Sequence, residues 1–152
     1  MKRLSGHRGI LFDTCVLIYM FEDIAPYADA CQALLQGAAD GRYSGIISPI
    51  TASELLVKPL MLKRYDVADR YRAALRSLTN IREFPLNTDT GVAAAALKAK
   101  YGLPLPDMLQ VAAALQADPT RPALVTNARH FNRITEVTVF QLDSFLSKSA
   151  RP

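Results

Sequence analysis

The chain alternates short apolar runs with longer stretches whose apolar positions recur at helical spacing. The runs "GILFD" (residues 9–13), "SGIISPI" (44–50), "ALVTN" (123–127) and "VTVFQL" (137–142) are rich in β-branched and aromatic residues and predict strands. Residues 26–40 open with Pro26 and are followed by Gly41, which are helix start and stop signals. Residues 65–79 place Val67, Ala68, Tyr71, Leu75 and Leu78 on one face and arginines on the other. Residues 88–101 and 106–117 predict two further helices, separated by Gly102 and Pro104. Helices are also expected directly after Asp13 and around Glu54. Strands alternating with helices predict an α/β fold with a mostly parallel sheet. Such sheets bind ligands outside the carboxyl ends of their strands.

The segment "YGLPLPDMLQVAAALQA" (101–117) raises the first question of chemistry. From Asp107 to Ala117 only Asp107, Gln110 and Gln116 are polar, so this helix is expected to be buried on most sides. A carboxylate at the head of a buried helix is costly unless something compensates it. Two other acids are placed alike. Asp13 ends the first strand and leads the apolar "TCVLIYMF", and Glu54 lies in "SPITASELL" after the second strand. Each has a structural explanation: Asp13 as a helix cap, Thr51 and Glu54 as a Thr-x-x-Glu capping box, Asp107 as a complement to a helix dipole. Together, carboxylates converging on one sheet edge would repel one another and raise their pKa values, and a bound cation would remove that repulsion. Clustered carboxylate oxygens suit Mg²⁺ or Mn²⁺. Neutralising Asp13 or Asp107 is then expected to spare the fold, because repulsion falls.

Composition narrows the rest. At 152 residues, half of them apolar, one domain spanning 1–152 is expected, with 144–152 a loose tail. No run approaches the roughly 18 apolar residues of a membrane span, and the amino end does not resemble a signal peptide. Cys15 and Cys31 lie in apolar segments, where buried thiols in a reducing cytoplasm are expected. The net charge of +4 permits a polyanionic partner without requiring one. There is no phosphate loop, dinucleotide fingerprint or nucleophile elbow. An aspartyl-phosphate enzyme would place a second Asp two residues after Asp13, where Cys15 stands.

With "ILFDTCVLIYMFE", "ISPITASELL", "YGLPLPDMLQVAAAL" and "ALVTNARHF" in that order, the chain resembles PIN-domain proteins, specifically VapC-type toxin ribonucleases. The resemblance implies a Rossmann-like PIN domain with a central sheet of four to five strands flanked by helices. It implies a divalent-metal site, Mg²⁺ or Mn²⁺, that cleaves single-stranded or looped RNA. By motif position Asp13, Glu54 and Asp107 match the family's first three acids, with Asp13 and Asp107 expected to contact metal directly. Thr14, Thr126 and Asn127 match positions that line the site, and Arg129 and Arg133 are expected to hold RNA. The family usually carries a further Asp within the stretch "TNARHF", where this chain has Ala128 and His130; His130 is expected to be a bystander. The resemblance further implies a cognate antitoxin, a homodimer and a cytoplasmic, membrane-free setting. Residues 26–40 and 65–79 are candidate contact surfaces, and 55–65, "LLVKPLMLKRY", a candidate apolar groove. Three alternatives stay open: a PIN-domain nuclease in RNA processing without a toxin role, a catalytically weakened PIN-fold module that binds RNA or protein, and a plain α/β interaction domain whose acids are only helix caps.

Overall fold

The computed structural model describes residues 4–146. Five strands form one all-parallel sheet: β1 (Ile10–Phe12), β2 (Gly45–Ile47), β3 (Ile81–Glu83), β4 (Ala123–Thr126) and β5 (Thr138–Gln141), in the order β3-β2-β1-β4-β5. Six helices connect them: α1 (Thr14–Phe21), α2 (Ala28–Ala39), α3 (Pro49–Met61), α4 (Tyr65–Ser77), α5 (Thr88–Tyr101) and α6 (Leu105–Ala117). The chain winds outward from β1 to β3, then returns to the other side of β1 with β4. The boundary between β1 and β4 is therefore the point where strand order reverses and where parallel sheets form their ligand crevice.

Side-chain alternation along β1 divides the core. Ile10 and Phe12 face one cluster, with Val16, Leu17, Cys31 and Leu34 of α1 and α2. Leu11 faces the other, with Met108 and Val111 of α6 and Leu97 of α5. Because β1, β2 and β4 are covered on both faces, all their residues are buried. That double coverage is why the sequence shows them as continuous apolar runs. β3 escapes this pattern. It is an edge strand with a single apolar residue, Ile81, and half-buried to exposed side chains, so nothing in "IRE" announces it.

Two expected boundaries shift. The segment 44–50 is not wholly a strand: β2 ends at Ile47, because Pro49 opens α3 at a position where a missing N–H is harmless. The expected tail 144–152 is not loose where it begins. Phe145 packs against the first core cluster and Leu146 is buried, while residues 147–152 lie outside the described residues.

Gly45 shows how tightly β1 and β2 meet. A Cβ there would lie 2.6 Å from Cε2 of Phe12 and 2.9 Å from Cγ1 of Ile81. The Phe12 ring is fully buried and has nowhere to move. Gly45→Ala is expected to cost about 1–3 kcal/mol through overpacking. Urea denaturation checks this; an unchanged midpoint would show that the ring yields freely.

Candidate active site

Asp13 sits at the carboxyl end of the central strand. Its N–H continues the sheet by donating to Val125 O, and its carboxylate caps α1 by accepting from Thr14 N–H at 2.7 Å. That carboxylate is enclosed, 8% exposed, and surrounded by donors. Oδ1 also accepts from Gln110 Nε2 at 3.2 Å, and Oδ2 accepts from the Thr126 hydroxyl at 2.5 Å and the Cys15 thiol at 3.5 Å. Thr126 is delivered by β4, whose register sets Val125 opposite Phe12. Gln110 is delivered by α6, one turn beyond Asp107. The cap explanation of Asp13 is thus true, and it accounts for only one of four bonds.

Glu54 lies in the second turn of α3. The Thr-x-x-Glu capping box does not form, because α3 starts at Pro49 with Ser48 as its cap residue. The Glu54 carboxylate is free of any capping duty. Burial pushes its carboxyl above the ordinary carboxylate range, and the nearby charges of Asp13 and Asp107 push it further. The Thr14 hydroxyl pulls the other way through its proximity, although it makes no hydrogen bond of normal geometry. Asp107, in the first turn of α6, is also raised, first by burial and further by the charge of Asp13, against the lowering effect of His130. These mutual effects put the three acids within electrostatic reach of one another.

His130 is not a bystander. It belongs to a short 3-10 helix, Arg129–Arg133, and its Nε2 lies 2.8 Å from Asp107 Oδ2. Its ring stacks on Phe131, 4.6 Å between centroids. The other expected lining residues divide. Thr14 and Thr126 flank Asp13. Asn127 turns its side-chain amide to Tyr19 Oη at 3.0 Å, and its backbone N–H donates to Cys15 Sγ. Arg129 pairs with Asp143 at 3.4 Å while staying largely exposed, and Arg133 donates to the Tyr101 carbonyl. Sequence reasoning missed Gln110 and Cys15 as partners of Asp13. For Gln110 a signal existed: a polar residue three positions after Asp107 on an otherwise oily helix.

Among the described residues no three His, Cys, Asp or Glu side chains stand close enough together to hold an ion as they are placed. In kind, the donors fit one: three carboxylates near one another, two of them with raised pKa values. Four buried polar atoms in the described residues make no hydrogen bond, namely the hydroxyls of Thr14, Ser48 and Thr51 and Oε1 of Gln110. All four belong to residues next to Asp13 or to the start of the helix that carries Glu54. An unmatched buried polar atom costs about 1–3 kcal/mol, so their gathering here marks a site shaped for a polar occupant.

The raised carboxyls carry a pH dependence with a definite sign. Folded Glu54 and Asp107 hold their protons more tightly than the unfolded chain does. The stability this contributes is fully present below the unfolded pKa values and is lost as pH rises through the folded ones. Glu136 acts oppositely: hydrogen bonds from Lys100 and Tyr101 hold its carboxyl down at about 2, so its contribution is lost only in stronger acid. The cation-free protein is expected to lose melting temperature as pH rises from the ordinary carboxylate range of about 4 through the raised values of these two groups, and to lose it also in stronger acid, where Glu136 gives up its contribution. Thermal melts in a chelating buffer across this range check it; a melting temperature that falls steadily from neutrality would contradict it.

Known proteins share this architecture. The chain superimposes on a toxin–antitoxin complex from Klebsiella pneumoniae with 26% identity and a TM-score of 0.66, over 88% of this chain and 97% of that one. VapBC2 from Rickettsia felis, solved bound to a DNA fragment from their promoter, matches with 20% identity and a TM-score of 0.67 over 88% and 98%. VapBC-1 from nontypeable Haemophilus influenzae matches with 21% identity and a TM-score of 0.59 over 88% and 98%. The last two are likenesses of fold. No curated protein matches the sequence. The PIN domain family model matches residues 10–137, a span that runs from the first strand to the threshold of the last and contains Asp13, Glu54 and Asp107. On that match and this architecture, the chain belongs to the PIN domain family.

Proposed function

We propose that the protein is a Mg²⁺- or Mn²⁺-dependent endoribonuclease that cuts single-stranded or looped RNA and serves as the toxin of a toxin–antitoxin pair. The observation that carries this reading is that Asp13, at the end of β1, Glu54 of α3 and Asp107 of α6 lie within electrostatic reach of one another beside the point where strand order reverses. Asp13 and Asp107 would hold the cation, and Glu54 would orient a water toward the phosphodiester. A divalent ion bound there would supply Lewis acidity to the phosphate and ease deprotonation of the water. The Thr126 hydroxyl and Gln110 amide fix the Asp13 carboxylate, so it needs little reorganisation when substrate arrives. Arg129 is exposed enough to meet an RNA backbone, and Arg133 stands four residues on in the same short helix. Such contacts weaken with salt.

The toxin role draws on the likeness to the Klebsiella pneumoniae toxin–antitoxin complex, at 26% identity. A groove lined by Ile18, Leu55, Pro59, Leu62, Val67 and Tyr71, together with the charged Glu22, Glu54, Lys58 and Arg64, suits an antitoxin segment. It includes part of 55–65 and part of α4. Among the described residues most exposed large apolar side chains, Val57, Leu60, Met61, Leu62 and Tyr65, lie at the α3–α4 corner, while Val92 and Leu105 lie on α5 and α6 and none lies on α2. A homodimer surface is therefore better sought at the α3–α4 corner than on 26–40.

The test is RNA cleavage with Mn²⁺ by the wild type and by Asp107→Asn, followed by sequencing of RNA fragments after brief expression in cells. Cleavage that needs the metal and is lost in the variant is expected. One observation favours a second reading, a weakened RNA-binding module: Ala128 replaces an acid and His130 occupies the Asp107 carboxylate. Retained RNA affinity without detectable cleavage supports that module instead.

A further inference from the structure

We propose that His130 is a nitrogen ligand of the bound cation, standing in for the acid absent from "TNARHF" and biasing the site toward Co²⁺ over Mg²⁺. This rests on the metal-dependent reading above.

The spacing is the first argument. Two ligands at right angles on an ion with bonds of about 2.1 Å lie about 3.0 Å apart. His130 Nε2 and Asp107 Oδ2 lie 2.8 Å apart, within a small adjustment of that edge. Orientation is the second. Stacking on Phe131, which is 1% exposed and anchored in the second core cluster, holds the imidazole ring facing the acid. Without an ion, the ring and the carboxylate satisfy each other. With an ion between them, Nε2 presents its lone pair in the tautomer protonated at Nδ1. The third argument is charge. A neutral imidazole replaces a carboxylate, so the site carries one negative charge fewer than four acids would supply. Hard Mg²⁺ depends on oxygen ligands, whereas imidazole suits later transition metals.

The experiment uses the full-length protein with Mn²⁺ and Co²⁺ as probes. Pulsed electron paramagnetic resonance of the Mn²⁺-loaded wild type is expected to show ¹⁴N coupling from a directly bound imidazole, which His130→Ala abolishes. Calorimetry is expected to show Co²⁺ affinity falling about tenfold or more in His130→Ala, with Mg²⁺ affinity changing less than about twofold. His130→Asp is expected to lose the ¹⁴N coupling and to regain preference for Mg²⁺. Bound Mn²⁺ without ¹⁴N coupling in the wild type overturns the role of His130 and leaves the metal-dependent reading intact. Failure of the wild type to bind Mn²⁺ at all overturns both.

Discussion

Asp13→Asn is expected to remove RNA cleavage and also to destabilise the fold, a pairing that Asp107→Asn should not show. Every hydrogen bond to the Asp13 carboxylate comes from a donor: Thr14 N–H and Gln110 Nε2 on one oxygen, the Thr126 hydroxyl and Cys15 thiol on the other. An asparagine must turn its amide NH₂ toward one of these pairs, setting donor against donor in a buried place. Leaving such a group unmatched costs about 1–3 kcal/mol. This reverses the expectation from sequence, where relief of carboxylate repulsion promised a neutral or stabilising change. Repulsion is present, since Asp13 raises the pKa of both Glu54 and Asp107, yet it is outweighed at Asp13 by four specific bonds. Among the described residues Asp107 has only His130 as a side-chain hydrogen-bond partner, and it is partly exposed, so its neutralisation should leave the urea midpoint nearly unchanged. In cleavage both variants should fall roughly a hundredfold or more, since a misplaced cation forfeits several kcal/mol of transition-state stabilisation. Urea denaturation beside a cleavage assay separates the two effects. An Asp13→Asn protein that melts and cleaves like wild type would refute both the bonding account and the role of the residue.

Phe131→Ala is expected to cause the largest loss of stability among these changes, about 3–5 kcal/mol. Phe131 is among the largest fully buried side chains and fills the space between the sheet and α6 alongside Leu11, Leu124, Met108 and Val111. Native domains hold only about 5–15 kcal/mol in total, so the variant should melt far below the wild type. The same ring supports His130, so what folds should also show a loosened His130–Asp107 contact. Phe131→Leu keeps most of the volume, and its smaller loss separates packing from stacking. Calorimetric melting of both variants decides the matter. A loss below about 1 kcal/mol in Phe131→Ala would mean that the core around the site collapses into the cavity.

The parts legible in the sequence share a physical cause. β1, β2 and β4 lie between two layers of helices, so burial on both faces wrote them as apolar runs. α6 is buried nearly all round, which is why Asp107 stood out against it. Asp13 is fixed by its place at the end of the central strand. What escaped notice depends on contacts between distant residues. β3 is held by pairing with β2 at an edge and needs little apolar character of its own. Gln110 reaches Asp13 across 97 positions of the chain, and His130 reaches Asp107 across 23. No local pattern encodes such meetings. The start of α3 was misjudged for a subtler reason: Thr51 and Glu54 have capping-box spacing, but Pro49 starts the helix first and leaves the Thr51 hydroxyl buried without a hydrogen bond.

The central claim is that Asp13 and Asp107 grip one divalent ion at the carboxyl edge of the sheet. Crystals grown with Mn²⁺ and measured for anomalous scattering test it most directly. The account predicts a strong anomalous peak within bonding distance, about 2.2 Å, of both carboxylates. A peak bound to only one of them, or none at the sheet edge with Mn²⁺ in excess, would contradict it.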